Sequence, residues 1–141
     1  MRRVPEPLYS LILDISTKIV TAVEEEDWAA EQKLIKRLKD IYEEQCQSGN
    51  PDPFVIETLA DFTENSKEAA DLYLFAIQQC ENFPAEPVHT KQIGLASQLL
   101  DDGNEEQAKQ VLEKAMLKAW EAKDREAINE IKEMLGGFSA G

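Results

Sequence analysis

The stretch His89–Ala122, HTKQIGLASQLLDDGNEEQAKQVLEKAMLKAWEA, decides how the rest of the chain is read. It divides into a helix, a tight turn and a second helix. Leu95, Ala96 and Leu99 recur at helical spacing, Gly103 marks the turn, and Ala108, Leu112 and Ala115 follow on the second helix. Small residues at Ala96, Ala108 and Ala115 let two helix backbones approach closely, while Leu95, Leu99 and Leu112 fill the flanking grooves. Asn104 is placed to cap the second helix, with Gln107 three residues on. An EF-hand reading of the acidic turn Asp101-Asp102-Gly103-Asn104 fails, because no acidic residue stands at the twelfth loop position.

Upstream, the connector ENFPAEPV (residues 81–88) carries two prolines and cannot be helical throughout. Before it, Asn65 and Glu68 have capping-box spacing and open a helix with Ala69, Leu72, Tyr73, Ala76 and Ile77. Asp52 before Pro53 caps a shorter helix, running to about Thr63, with Phe54, Ile56, Leu59, Ala60 and Phe62. Ser48-Gly49-Asn50-Pro51 is a break. Pro5 and Pro7 punctuate the start. Leu8, Leu11, Ile12, Ile15, Ile19 and Ala22 then mark one face of the first helix, and Trp28, Ile35 and Tyr42 recur seven apart on the second, capped by Asp27. Downstream, Asp124 caps a last helix with Ala127, Ile128, Ile131, Met134 and Leu135, closed by Gly136-Gly137 and a small-residue tail.

Composition agrees with a helical chain. The length of 141 residues is one domain's worth, the 43% apolar content suffices for a core, and only six glycines and six prolines interrupt it. The net charge of −13 repels phosphate backbones and anionic lipid, so no nucleic acid and no membrane partner is expected. The same field attracts a basic protein. Lys33, Lys36, Arg37 and Lys39 read as a solvated helix face rather than a nucleic-acid patch.

Cys46 and Cys80 make no disulfide framework, and one histidine with two distant cysteines has no zinc spacing, so neither metal nor cofactor is expected. Behind Met1-Arg2-Arg3 the apolar run is broken by Ser10 and Asp14, with no cleavage signal, which points to the cytoplasm. No phosphate loop, nucleophile elbow or H-E-x-x-H is present, and His89 stands alone, so no enzyme and no catalytic residue is expected.

The residues of 89–122 resemble a tetratricopeptide repeat, a helix-turn-helix unit of about 34 residues. Ala69, Tyr73 and Ala76 copy the offsets of Ala108, Leu112 and Ala115, so 53–82 resembles a shorter unit of the same kind. The first hairpin (8–47) lacks those offsets; its E-x-D-W-x-x turn faintly resembles flagellar type-III export chaperones. The expected fold is a single all-α domain of about seven helices. Its antiparallel hairpins stack as a short tetratricopeptide-like right-handed α-solenoid, and the helix at 124–135 acts as the cap.

The resemblance implies a concave groove lined by the first helix of each unit. Thr90, Ile93, Ser97 and Leu100, with Asp101 next, occupy the implied binding positions of the better unit, and Phe54, Glu57 and Asp61 those of the looser one. Tetratricopeptide grooves that hold a peptide carboxylate use Lys, Asn and Arg at such positions. The acidic Glu57 and Asp61 fit a partner with a basic segment instead. The expected function is a non-catalytic protein-binding module: an adaptor, a secretion-chaperone-like protein or a toxin-neutralising immunity protein. The alternatives are a self-associating homodimer, if Trp28, Ile35 and Tyr42 are not all covered within one chain, and less readily a small enzyme.

Overall fold

Asp27, Asp52, Asn65 and Asp124 each turn a side-chain oxygen back onto the first turn of the helix that follows. They accept from the backbone N–H of Ala30 (3.1 Å), Phe54 (2.9 Å), Glu68 (2.9 Å) and Ala127 (3.1 Å). Each such cap is worth about 1 kcal/mol. The computed structural model describes residues 6–137; Met1-Arg2-Arg3, Pro5 and the tail after Gly137 lie outside them. Among these residues are seven α-helices and no strand: α1 (Glu6–Glu24), α2 (Trp28–Gln47), α3 (Pro53–Asp61), α4 (Ser66–Gln79), α5 (His89–Asp101), α6 (Glu105–Ala122) and α7 (Arg125–Gly136). A short 3-10 turn, Cys80–Asn82, begins the connector between α4 and α5. Asn104 stands at the N-cap of α6 but makes no side-chain capping bond, contrary to its spacing with Gln107.

Three of the turns share one geometry that the sequence reading did not anticipate. Glu26, Gly103 and Lys123 all have positive φ (57°, 79° and 56°). The next residue in each case donates its N–H to the carbonyl five residues back: Asp27 to Ala22, Asn104 to Leu99 and Asp124 to Ala119. This closes the preceding helix and starts the next within a few residues, so consecutive helices fold back on each other. α1 packs on α2, α3 on α4, α5 on α6 and α6 on α7, with α2 against α3 and α4 against α5 joining the pairs.

The core is continuous along this stack. Ile12, Ile15, Ile19 and Leu38 meet Val55 and Leu59 at one end. Ala60, Ala69, Tyr73 and Leu95 form the middle. Ile93, Ala96, Ala108, Leu112, Ala115, Ala119, Ala127, Ile128 and Ile131 form the other end. Ala108, Ala115 and Ala119 of α6 are fully buried, and their small size lets α5 and α7 close on α6 from either side. Held so, α5 presents one long side to a cleft that it shares with α7, and the site lies there.

Candidate functional site

Along α5, Thr90, Ile93, Gly94, Ser97 and Gln98 fall at helical spacing and form one wall of a cleft of about 680 Å³. Asp124, Glu126, Ala127, Glu130 and Met134, leading into and along α7, form the opposite wall. Asp61 at the end of α3 and Tyr73 of α4 close one end. Gly94 is required here: a Cβ at this position would sit 2.4 Å from the Tyr73 ring. Its absence lets the ring lie against α5 and carry its hydroxyl to Asp61 Oδ1, to which it donates at 2.5 Å.

The cleft is acidic. Asp61, Asp124, Glu126 and Glu130 line it, and no basic residue does among the described residues. Asp61 is exposed at the end of α3 and lines the cleft. Desolvation by the surrounding chain pushes its carboxyl up to about 6; the Tyr73 hydroxyl and the charge of Lys91 oppose the rise, and the charge of Glu57 adds to it. Burial and the facing Asp61 likewise push the Tyr73 phenol above its ordinary range. Asp124 is shifted the other way: the buried His89 meets its Oδ2 through Nε2 at 2.8 Å, and that bond holds the carboxyl below its usual value.

Behind the cleft a fully buried lysine ties α3, α5 and the connector together. Lys91 Nζ donates to Glu57 Oε1 (2.9 Å), Glu86 Oε1 (2.8 Å) and the Pro87 carbonyl (2.8 Å). An ammonium has three N–H groups, and all three are committed. Burial alone would lower the Lys91 pKa, but Glu57 and Glu86 more than compensate and it is raised. Asp52 is buried close by. Desolvation pushes its carboxyl up to about 6, against the Phe54 N–H bond that lowers it and with the Glu86 charge that adds to the rise. Cys80, pushed up to about 11 chiefly by burial, is a protonated thiol in this setting.

Of the eight residues expected to line a groove, Asp61, Thr90, Ile93 and Ser97 lie together in this cleft. The other four lie elsewhere. Phe54 stacks on Tyr9 at 5.0 Å between ring centroids and packs in the first core region. Glu57 is bound to Lys91. Leu100 packs on the core around α6, and Asp101 is exposed at the end of α5. For Phe54 the reason is helical phase: at the start of α3 it faces α1, not α7.

Sequence reasoning missed Glu126 and Glu130, the Tyr73–Asp61 and His89–Asp124 pairs, and the Lys91 ion network. Only the i, i+4 spacing of Glu126 and Glu130, beside the apolar face of α7, was readable beforehand. Glu86 and Lys91 looked like two charges among many.

Two further grooves are more apolar. One, of about 540 Å³, runs between α2 and the α3–α4 pair past Ile35, Tyr42, Phe62 and Leu72. The other, of about 480 Å³, lies between α4 and α6 over Leu74, Leu95, Leu99 and Val111. Among the described residues no group of three or more His, Cys, Asp and Glu is placed to hold a metal ion, and no helix is long and apolar enough to cross a membrane. The chain matches no protein-family model, no curated protein and no solved structure.

Proposed function

We propose that this protein is a non-catalytic binding module that holds a basic segment of one protein partner in the cleft between α5 and α7. The observation that carries the reading is charge arrangement. Four carboxylates surround a floor containing Ile93, Ala127 and Met134, with no basic residue among the lining residues. A segment with Lys or Arg beside apolar residues matches both features, and electrostatic attraction speeds its encounter with a chain of net charge −13. The tetratricopeptide-like residue offsets support a concave binding face on the same helix, α5. The reading takes in adaptor, secretion-chaperone and toxin-neutralising immunity roles in the cytoplasm.

The test separates the cleft from the general acidity of the chain. A fluorescein-labelled amphipathic peptide of Lys and Leu is titrated into wild type, into Glu126→Lys/Glu130→Lys, and into Glu24→Lys/Glu25→Lys. Both variants change the net charge equally. The cleft variant is expected to bind at least tenfold more weakly, and the α1 variant to stay within threefold. Equal losses in the two would show that only overall charge is being sensed.

A second reading, self-association, is favoured by the outer side of α1. Leu13, Val20 and Val23 are exposed there although Ile12, Ile15, Ile19 and Ala22 of the same helix are buried, and Trp28 at the start of α2 is 54% exposed. Such a doubly apolar helix suits contact with another copy. Light scattering across a hundredfold concentration range tests it, and a constant monomer mass overturns it.

A further inference from the structure

The open carboxylate at the end of the cleft does more than add charge. Asp61 accepts one hydrogen bond, from Tyr73 of α4. The nearest cation, Lys91 of α5, has given its three N–H groups to Glu57, Glu86 and Pro87. On its own helix, Glu57 adds a like charge one turn away. Across the cleft stand Asp124, Glu126 and Glu130, also acidic, with His89 engaged by Asp124. Lys91 acts on Asp61 from behind the cleft and lowers its pKa; the other charges around Asp61 are negative. A partner that covers the cleft removes the remaining water from this carboxylate. That step is unfavourable unless the partner supplies a cation or the carboxylate takes a proton.

We propose that Asp61 couples proton binding to partner binding: its carboxylate seats a lysine or arginine of the partner, and protonating that carboxylate releases it. The proposal rests on the reading of the cleft as a site for a basic segment, and adds the regulation of that site. Its sign follows from linkage. A cation within hydrogen-bond reach favours the ionised form and holds a carboxyl down by about 1–3 pKa units. The free protein, with Asp61 near 6, must then lose a proton to bind below that pH. Affinity is highest at neutral pH and falls on acidification, by about tenfold between pH 7 and pH 5 for one linked proton.

The experiment has two arms. In the first, the side-chain carboxyl carbon of Asp61 is followed by NMR through a pH titration of the wild-type protein, which needs neither partner nor variant. In the second, the fluorescein-labelled Lys/Leu peptide is titrated at pH 7 and pH 5 into wild type, Asp61→Asn and His89→Gln. Asparagine retains an acceptor for the Tyr73 hydroxyl, and His89→Gln removes the other titratable group paired at the cleft. The expected result is an Asp61 midpoint near 6, a tenfold pH effect in wild type and in His89→Gln, and less than threefold in Asp61→Asn. An Asp61 midpoint in the ordinary carboxylate range overturns the proposal. So does peptide binding with the same pH dependence in wild type and Asp61→Asn, which would leave the basic-partner reading standing. No peptide binding at either pH overturns the basic-partner reading and this proposal with it.

Discussion

Replacing Lys91 by methionine removes a buried charge while keeping most of the side-chain volume, and its consequence can be worked out from the geometry. In the folded protein the ammonium is 0% exposed and holds Glu57 at 2.9 Å and Glu86 at 2.8 Å, with Glu86 itself only 4% exposed. Without it two carboxylates face each other in a site that water barely reaches. Breaking a buried ion pair from one side costs about 3–5 kcal/mol. A second route to the magnitude agrees: the site escapes by protonating one carboxylate, which at pH 7 costs about 4 kcal/mol for an ordinary carboxyl. For a chain of this size the loss corresponds to a fall in Tm of roughly 10–20 °C. Because protonation is the escape, the deficit shrinks by about 1.4 kcal/mol for each pH unit between 7 and 5. Urea denaturation followed by circular dichroism at pH 7 and pH 5 measures both effects. Lys91→Met/Glu57→Gln/Glu86→Gln, which removes all three charges of this ion network, is expected to recover most of the loss. A Lys91→Met deficit below 1 kcal/mol at pH 7, or one unchanged at pH 5, would refute the idea that this lysine compensates the two glutamates.

Other consequences are smaller or more local. Ala108→Leu and Ala115→Leu place extra methylenes where α6 has fully buried alanines, and each should cost about 1–3 kcal/mol in urea denaturation; wild-type stability in both would place the seam elsewhere. Lys123→Gly relieves a left-handed backbone position without touching the capping bond of Asp124, and should raise stability by up to about 1 kcal/mol. A Tm at or below that of wild type would count against strain there. The raised Asp52 carboxyl binds a proton more readily in the folded than in the unfolded chain, so its contribution to stability grows as pH falls through the window from about 6 to 3.8. Between pH 7 and pH 5 this amounts to roughly 1 kcal/mol. Asp52→Asn keeps an acceptor for the Phe54 N–H, so it should be more stable than wild type at pH 7 and show a flatter pH profile; identical profiles would refute the assignment.

Much of the architecture was legible in the sequence because its causes are local. The 3.6-residue spacing of Ile12, Ile15 and Ile19, the capping residues Asp27, Asp52, Asn65 and Asp124, and the breaks at Gly49, Pro84 and Gly103 each act within one turn of the chain. They determine where helices begin and end, and so determine an all-α hairpin architecture. The alanine offsets of α6 were readable for the same reason: a small residue on an apolar face marks where a neighbouring helix comes close.

Which face of each helix meets solvent, and with what opposite it, was settled only by packing. Phe54 and Asp61 lie on the same short helix, yet one stacks on Tyr9 and the other opens into the cleft. The decisive charge contacts join residues far apart in the chain: Glu57 with Lys91, Asp61 with Tyr73, and His89 with Asp124. No sequence period links such pairs, and in a chain with 28 acidic residues nothing marks Glu86 as buried or Glu130 as lining a cleft until the helices are in place. Helix formation depends on near neighbours and local hydrogen bonds, whereas burial of a charge depends on everything that surrounds it in space. The first is written along the chain; the second exists only once the stack has closed.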